Sequence, residues 1–86
     1  MPIVLTERFV RQYNLLPISI RAKADKALKF LDNDFRHPGL RSHPIEKVPG
    51  IFEANVDDKY RMTFERKGEV FILRNIDNHD ECLKNP

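Results

Sequence analysis

The stretch FEANVDDKYRMTF (residues 52–64) decides the fold. On both sides of the Asp57-Asp58 turn, apolar residues alternate with polar ones, and this period of two predicts a pair of β-strands. A hairpin that turns both apolar sets toward a core places four polar side chains on its other face, namely Glu53, Asn55, Arg61 and Thr63. The hairpin is therefore expected to have one face for the core and one polar face.

Arg61 is the most informative residue of this hairpin, because it lies within an otherwise apolar strand pattern. A guanidinium in a half-buried strand needs anionic or carbonyl partners, since leaving it unpaired away from water is costly. Two partners stay open at this point. One is a substrate phosphate, and the other is Glu53 across the hairpin, since opposite charges on facing strands stabilise a sheet.

The segments on either side of the hairpin supply the other strands and two helices. Residues 70–76 are apolar on both faces and predict a central strand, and residues 3–5 predict a short edge strand. Thr6 is a good N-cap for a first helix that ends at Pro17, and a second helix is expected to begin near Ser19. Apolar residues recur at helical spacing in both: Phe9, Val10, Tyr13 and Leu16, then Ile20, Ala24, Ala27, Leu28 and Leu31.

These elements predict an α+β fold in one domain that spans residues 1–86. Two N-terminal helices pack on one face of a small, twisted, antiparallel sheet of about four strands. The predicted core lies between them and includes Phe9, Tyr13, Leu28, Leu31, Tyr60, Met62 and Phe64. A chain of this length has little room for a large enclosed active site, so any chemistry is expected on an open face.

Residues 32–50 break the helical pattern and predict a long, irregular, functional loop. The segment contains three prolines and two glycines together with Arg41, His43 and Lys47. The surplus of positive charge also lies in the first half of the chain. Residues 1–50 carry nine Lys or Arg against five Asp or Glu, whereas residues 51–86 carry six against eight. The net charge of +2 supports RNA binding only weakly.

The composition indicates the cellular compartment and argues against membrane segments and metal sites. Cys82 is the single cysteine, which excludes an internal disulfide and favours a reducing compartment, so we expect a cytoplasmic location. Apolar runs are only a few residues long, so neither a signal peptide nor a membrane span is predicted. The three histidines and Cys82 lack the spacing of metal ligands, and no glycine-rich phosphate loop is present. No metal or cofactor is expected.

The order of strand, two helices, loop, three-strand meander and polar tail resembles the RelE/ParE superfamily of toxins from type II toxin–antitoxin modules. The likeness covers most of the chain. It is carried by Leu15-Leu16-Pro17, Leu28-Lys29-Phe30-Leu31, DFRHPGL (34–40), FEANV (52–56), YRMTF (60–64) and residues 70–81 with their closing His79-Asp80-Glu81.

For the RelE-like mRNA interferase branch, the resemblance implies cleavage of mRNA, free or ribosome-bound, by attack of a ribose 2′-hydroxyl on the adjacent phosphate without a metal. Arg61 matches the phosphate-stabilising arginine of the family, His79 matches a C-terminal histidine that acts as acid or base, and Glu53 falls where some branches place a carboxylate base. The candidate RNA contacts are Arg41, His43, Lys47 and Lys84. A cognate antitoxin is the implied protein partner, and such partners are typically disordered segments that fold on binding.

Several alternatives stand beside this interpretation. Glu53 and Arg61 are either catalytic or a structural pair, and His79 is either a proton donor or an exposed residue beside an Asn78–Glu81 capping box. Many ribonuclease members carry a tyrosine just beyond the histidine, whereas this chain has Leu83 and Lys84 there. Two other functions fit the same resemblance: a noncatalytic ParE-like toxin that engages DNA gyrase, and an inactive homologue that only binds antitoxin.

Overall fold

The structure is a computed structural model that describes residues 2–86. Its elements follow the chain as β1 (Ile3–Leu5), α1 (Glu7–Leu15), α2 (Ile18–Asn33), β2 (His43–Pro44), β3 (Ile51–Asn55), β4 (Tyr60–Lys67), β5 (Val70–Asn78) and α3 (His79–Lys84). The strands form one sheet in the order β1-β5-β4-β3-β2. The expected α+β class is confirmed, and β5 is an interior strand as predicted.

The sheet differs from the prediction in two respects. It has five strands, and β1 runs parallel to β5, so the sheet is mixed and not purely antiparallel. The two helices between β1 and the rest of the sheet serve as the long crossover that a parallel pair requires. The additional strand, β2, has only two residues and pairs with β3, so no alternating pattern was available to predict it.

The hairpin of β3 and β4 has the register that the alternation predicts. Phe52 lies opposite Phe64 and Ala54 lies opposite Met62, so the apolar sets share one face. The rings of Phe52 and Phe64 stack with centroids 5.4 Å apart, and Phe71 meets Phe64 edge-on at 5.3 Å. These aromatic contacts join three adjacent strands beneath the helices.

Helices α1 and α2 cover the apolar face of the sheet. Thr6 caps α1 by accepting a hydrogen bond from the Phe9 backbone nitrogen at 3.2 Å, and Pro17 precedes α2. Of the predicted core, Phe9, Leu31, Met62 and Phe64 are buried, whereas Tyr13, Leu28 and Tyr60 are partly buried against the same cluster. Burying each large side chain contributes about 1.5–3 kcal/mol, so this face supplies most of the hydrophobic stabilisation.

The polar face of the sheet is covered by α3. This short helix begins at the predicted cap, because Asn78 Oδ1 accepts a hydrogen bond from the Glu81 backbone nitrogen at 3.0 Å. The other half of the predicted capping box is replaced, since the Asn78 backbone nitrogen donates to Asp77 Oδ1 and the Glu81 carboxylate accepts from Lys84. Cys82 belongs to this helix, faces the sheet and is fully buried. Burial, followed by the nearby charge of Glu53, raises the pKa of the Cys82 thiol to about 12, so the thiol stays protonated near neutral pH. Part of the polar face is therefore closed to solvent.

The segment between α2 and β3 is more ordered than the prediction of a long structureless loop. Leu40 is fully buried, and its carbonyl accepts a hydrogen bond from the Asn55 backbone nitrogen at 2.7 Å. The ring of His37 stacks on that of Phe30 with centroids 3.8 Å apart. Leu40 attaches the segment to the core through its buried side chain, and the short strand β2 attaches it to the sheet by pairing with β3. No helix within residues 2–86 is long and apolar enough to cross a membrane.

Candidate functional site

Arg61 is held in one orientation on the polar face of the sheet. Its Nη1 donates hydrogen bonds to the backbone carbonyls of Tyr60, at 2.9 Å, and of Asp57. Its Nε lies 3.5 Å from Glu53 Oε1, and the side chain is 17% exposed. Because these contacts use Nη1 and Nε, the outer nitrogen Nη2 is the part of the fork that a further anion would meet.

Asp57 organises the turn that holds this arginine. Its Oδ1 accepts hydrogen bonds from the backbone nitrogens of Lys59, at 2.9 Å, and Tyr60, at 2.8 Å. Its Oδ2 lies 3.4 Å from Lys23 Nζ on α2. Burial alone would raise the pKa of the Asp57 carboxyl, but these hydrogen bonds and the charge of Lys23 outweigh it, and the pKa is lowered. The ionised carboxylate thus fixes the turn whose carbonyls orient Arg61.

Glu53 lies between the side chains of Arg61 and His43. It is 8% exposed, with Oε1 facing Arg61 and Oε2 lying 3.4 Å from His43 Nε2. His43 Nδ1 lies 2.8 Å from the Arg41 carbonyl, and because a carbonyl only accepts hydrogen bonds, Nδ1 must carry the proton. The contact between His43 Nε2 and Glu53 becomes an ion pair when His43 is protonated. The structural partnership of Glu53 and Arg61 is therefore present in the fold.

Most of the predicted site residues line one of two open grooves. The first, called the Arg61 groove, has a volume of about 560 Å³ and is lined by Asp58, Lys59, Arg61, Asn78, His79 and Asp80. The second, called the His43 groove, has a volume of about 630 Å³, and its lining includes His43, Lys47, Glu53, Lys84 and Pro86. The ion pair of Glu53 with Arg61 connects the two grooves. Arg41 is exposed and lines neither of them.

His79 lies at the start of α3, where its position is set by the backbone. Its backbone nitrogen donates to the Lys59 carbonyl at 2.7 Å, and its Nδ1 lies 3.3 Å from Asp80 Oδ1. The side chain is 51% exposed, so the imidazole is accessible from the Arg61 groove. At the other end of α3, a hydrogen bond from Lys84 to Glu81 raises the pKa of the Lys84 ammonium.

Arg74 is a candidate that the sequence interpretation missed. Thr63 pairs with Asn75 and Phe64 pairs with Leu73, so Arg74 is the extra residue of a β-bulge in β5. Its Nη1 lies 3.2 Å from Glu65 Oε2. One sequence signal was available, because Arg74 is the single charged residue within residues 70–76. Leu73 is buried in the core, so strand alternation directs the neighbouring Arg74 to the polar face of the sheet.

No group of three or more His, Cys, Asp or Glu side chains within residues 2–86 is placed to hold a metal ion. Within residues 2–86, the buried side-chain polar atoms all have hydrogen-bond partners. Asn75 Nδ2 donates to the Cys82 carbonyl at 2.7 Å, and its Oδ1 accepts from Gln12 Nε2 at 2.7 Å. This network joins α1, β5 and α3 behind the two grooves and keeps their walls in place.

Comparisons with known proteins show which solved structures share this architecture. No protein-family model matches the sequence, and no curated protein matches it significantly. Among solved structures, the RelB–RelE antitoxin–toxin complex from Methanococcus jannaschii is 16% identical, with a TM-score of 0.77 over 94% of this chain and 95% of that chain. The YoeB/ParE toxin from Agrobacterium tumefaciens is 12% identical, with a TM-score of 0.77 over 92% and 99%.

A third similar structure is the intact E. coli RelBE toxin–antitoxin complex, which is 15% identical, with a TM-score of 0.70 over 87% of this chain and 92% of that chain. The three likenesses span nearly the whole of each chain, so they concern the complete fold and not a shared fragment. At these identities they establish the fold.

Proposed function

We propose, on the premise that this chain has the RelE/ParE toxin fold, that it is the toxin of a type II toxin–antitoxin pair and an endoribonuclease that cleaves mRNA, free or ribosome-bound, without a metal. The observation that carries the proposal is the placement of Arg61 and His79 in one open groove, with Glu53 paired to Arg61 at its edge. A fixed cation beside an accessible imidazole and a carboxylate suits phosphoryl transfer.

The proposed reaction begins with attack of a ribose 2′-oxygen on the adjacent phosphorus as its proton passes to a base. The bond from phosphorus to the 5′-oxygen then breaks, and an acid protonates that oxygen. The products are a 2′,3′-cyclic phosphate and a 5′-hydroxyl end, so no water or oxidant is consumed. Negative charge builds on the pentavalent phosphate between these steps, and a preoriented cation stabilises it.

Arg61 is assigned to that developing charge. Its hydrogen bonds to the carbonyls of Asp57 and Tyr60 hold the guanidinium before substrate arrives, so little reorganisation is needed during the reaction. His79 is assigned as the acid that protonates the 5′-oxygen, because its exposed imidazole lines the same groove as Arg61 and an imidazole can donate a proton in a transition state. Arg61 thus stabilises negative charge on the phosphate, and His79 protonates the oxygen that leaves it.

Glu53 is assigned as the base that accepts the 2′-proton. In the free protein, Glu53 Oε1 faces the guanidinium of Arg61 and Oε2 faces the imidazole of His43. A phosphate bound at Arg61 Nη2 shares the guanidinium charge with Glu53 Oε1, so the carboxylate is held less strongly and is placed beside the phosphate to accept the 2′-proton. The RNA strand would continue from this point into the His43 groove, where Lys47 and Lys84 present positive charge.

Glu53→Gln distinguishes the catalytic assignment from a structural pair. If Glu53 is the base, we expect a cleavage rate about 10²–10⁴-fold lower with little change in melting temperature. If it is only a cross-strand partner of Arg61, the variant changes the free energy of unfolding by at most about 1 kcal/mol and leaves the rate unchanged. The measurements are single-turnover cleavage and thermal unfolding, with Glu69→Gln in the exposed β4–β5 turn as the matched control.

A cognate antitoxin is the proposed protein partner. Two of the similar structures are complexes of a toxin with its antitoxin. All five exposed large apolar side chains within residues 2–86 belong to β1 and the first two helices: Val4, Leu5, Val10, Leu15 and Ile18. The two most exposed of them, Leu15 at 85% and Ile18 at 81%, lie at the junction of α1 and α2, and a partner segment that folds over this surface would bury both.

Leu15→Asp and Ile18→Asp test that surface. The two side chains are 85% and 81% exposed, so the substitutions should leave the fold intact. If the antitoxin buries them, each variant should bind about tenfold more weakly or worse, because burying such a side chain contributes about 1.5–3 kcal/mol. Affinity is measured by calorimetry with the product of the neighbouring antitoxin gene. Lys67→Asp, on the far side of the sheet, is the control, and unchanged affinity in both test variants would refute this surface.

Expression of the chain alone, followed by measurement of translation and of mRNA ends, tests the function as a whole. The proposal expects new 5′-hydroxyl ends and loss of translation, both reversed by the antitoxin. If no RNA is cut with or without ribosomes and gyrase supercoiling is inhibited, the gyrase-binding alternative replaces it. If neither activity is found and the antitoxin still binds, the chain is an inactive homologue.

A further inference from the structure

The two residues that follow α3, called the tail (residues 85–86), lie across the polar face of the sheet. The Pro86 oxygen accepts hydrogen bonds from Thr63 Oγ1 at 2.8 Å and from Arg74 Nε at 3.2 Å. The Asn85 carbonyl accepts from Arg8 Nη2 at 2.6 Å and from Asn75 Nδ2 at 3.3 Å. Two successive backbone oxygens therefore engage four side-chain donors.

The donors around Pro86 are of the kind that bind phosphate. Thr63 is fully buried, so its hydroxyl has a fixed position. Arg74 carries a guanidinium, which binds anionic oxygens through charge-assisted hydrogen bonds. Its Nη1 is engaged by Glu65 Oε2 at 3.2 Å, which leaves Nε directed at the Pro86 oxygen. A hydroxyl and an arginine nitrogen thus converge on one oxygen of the chain itself.

Thr63 and Arg74 contact the Pro86 oxygen at the edge of the His43 groove. Pro86 forms part of the lining of the His43 groove, together with Lys47, Lys84 and Glu53. Thr63 and Arg74 lie directly beneath the Pro86 oxygen. Removing the tail would therefore extend the groove across β4 and β5 and add two anion-binding donors to its floor.

We propose that Thr63 and Arg74 form a phosphate-binding subsite and that the tail blocks it by placing the Pro86 oxygen where a phosphate oxygen would bind. The assignment of that phosphate to an RNA backbone rests on the proposed function. The tail acts as an intramolecular competitor. A tail that is seated about nine-tenths of the time weakens the apparent affinity for phosphate about tenfold, since only the open fraction can bind.

A chain ending at Lys84 tests the proposal without any cleavage assay. Inorganic phosphate is titrated at fixed ionic strength while the NMR signals of the Thr63 amide and the Arg74 Nε–H group are followed. The shortened chain should bind phosphate about tenfold more tightly than the chain with residues 85–86. Arg74→Gln in the shortened chain should remove this gain, whereas Arg66→Gln, next to the Phe35 ring, should keep it.

Arg8→Gln provides a second route to tail release if the shortened chain unfolds. This variant loses the hydrogen bond to the Asn85 carbonyl and leaves Thr63 and Arg74 unchanged, so phosphate affinity should rise several-fold. Pro86→Ala should behave as the original chain, because the contact uses a backbone oxygen. Equal phosphate affinity in the original chain, the shortened chain and Arg8→Gln overturns the proposal. A gain in phosphate affinity without RNA cleavage keeps the subsite and refutes only the ribonuclease function.

Discussion

Arg61→Ala lowers the rate of RNA cleavage by about 10²–10³-fold, because the developing charge on the phosphate loses a preoriented hydrogen-bond donor. This is the expected result of single-turnover cleavage with a defined RNA. Arg61→Lys should recover only a small part of the rate, since an ammonium supplies a point charge and not an oriented fork. A lysine at this position has no planar guanidinium that the carbonyls of Asp57 and Tyr60 can orient.

The fold should survive this substitution. Glu53 keeps its contact with His43, so the expected loss in free energy of unfolding is about 1–3 kcal/mol, and it is measured by chemical denaturation. Arg66→Ala is the matched control, because Arg66 lies on the same strand but contacts the Phe35 ring. Cleavage by Arg61→Ala at the rate of the Arg66→Ala control would contradict the assignment of Arg61 to the phosphate.

His79→Gln is expected to reduce cleavage by about 10²–10⁴-fold, the usual contribution of a positioned general acid. Stability should change little, because the side chain is about half exposed and its contact within residues 2–86 is with Asp80. The backbone hydrogen bond from residue 79 to the Lys59 carbonyl is independent of the side chain and should persist. The variant therefore removes the proposed proton transfer by His79 without disturbing the backbone contact at the start of α3.

A substrate with sulfur in place of the bridging 5′-oxygen identifies the role of His79. The thiolate leaves without protonation, so the variant should cleave this substrate at nearly the original rate if His79 is the acid. An equal loss on the oxygen and sulfur substrates would assign His79 to another step. His37→Gln is the control, because this second histidine stacks on Phe30 and lines neither groove.

The candidate site was only partly predictable from the chain. Glu53, Arg61 and Thr63 were expected on one face because strand alternation operates over single residues, and their register confirms it. The pairing of His43 with Glu53 was not expected, because it depends on a two-residue strand. Arg74 was overlooked because residues 70–76 were interpreted as apolar on both faces, although alternation from the buried Leu73 directs Arg74 to this face.

The sequence by itself determined the local features of this protein. The hairpin register, the helical stripes and the caps at Thr6 and Asn78 follow from periods and hydrogen bonds that extend only a few residues. Only the tertiary structure decided that β1 pairs in parallel with β5 and that residues 85–86 lie on Thr63 and Arg74. These contacts join residues far apart in the chain, so their free energy depends on how whole elements pack, and no local pattern encodes it.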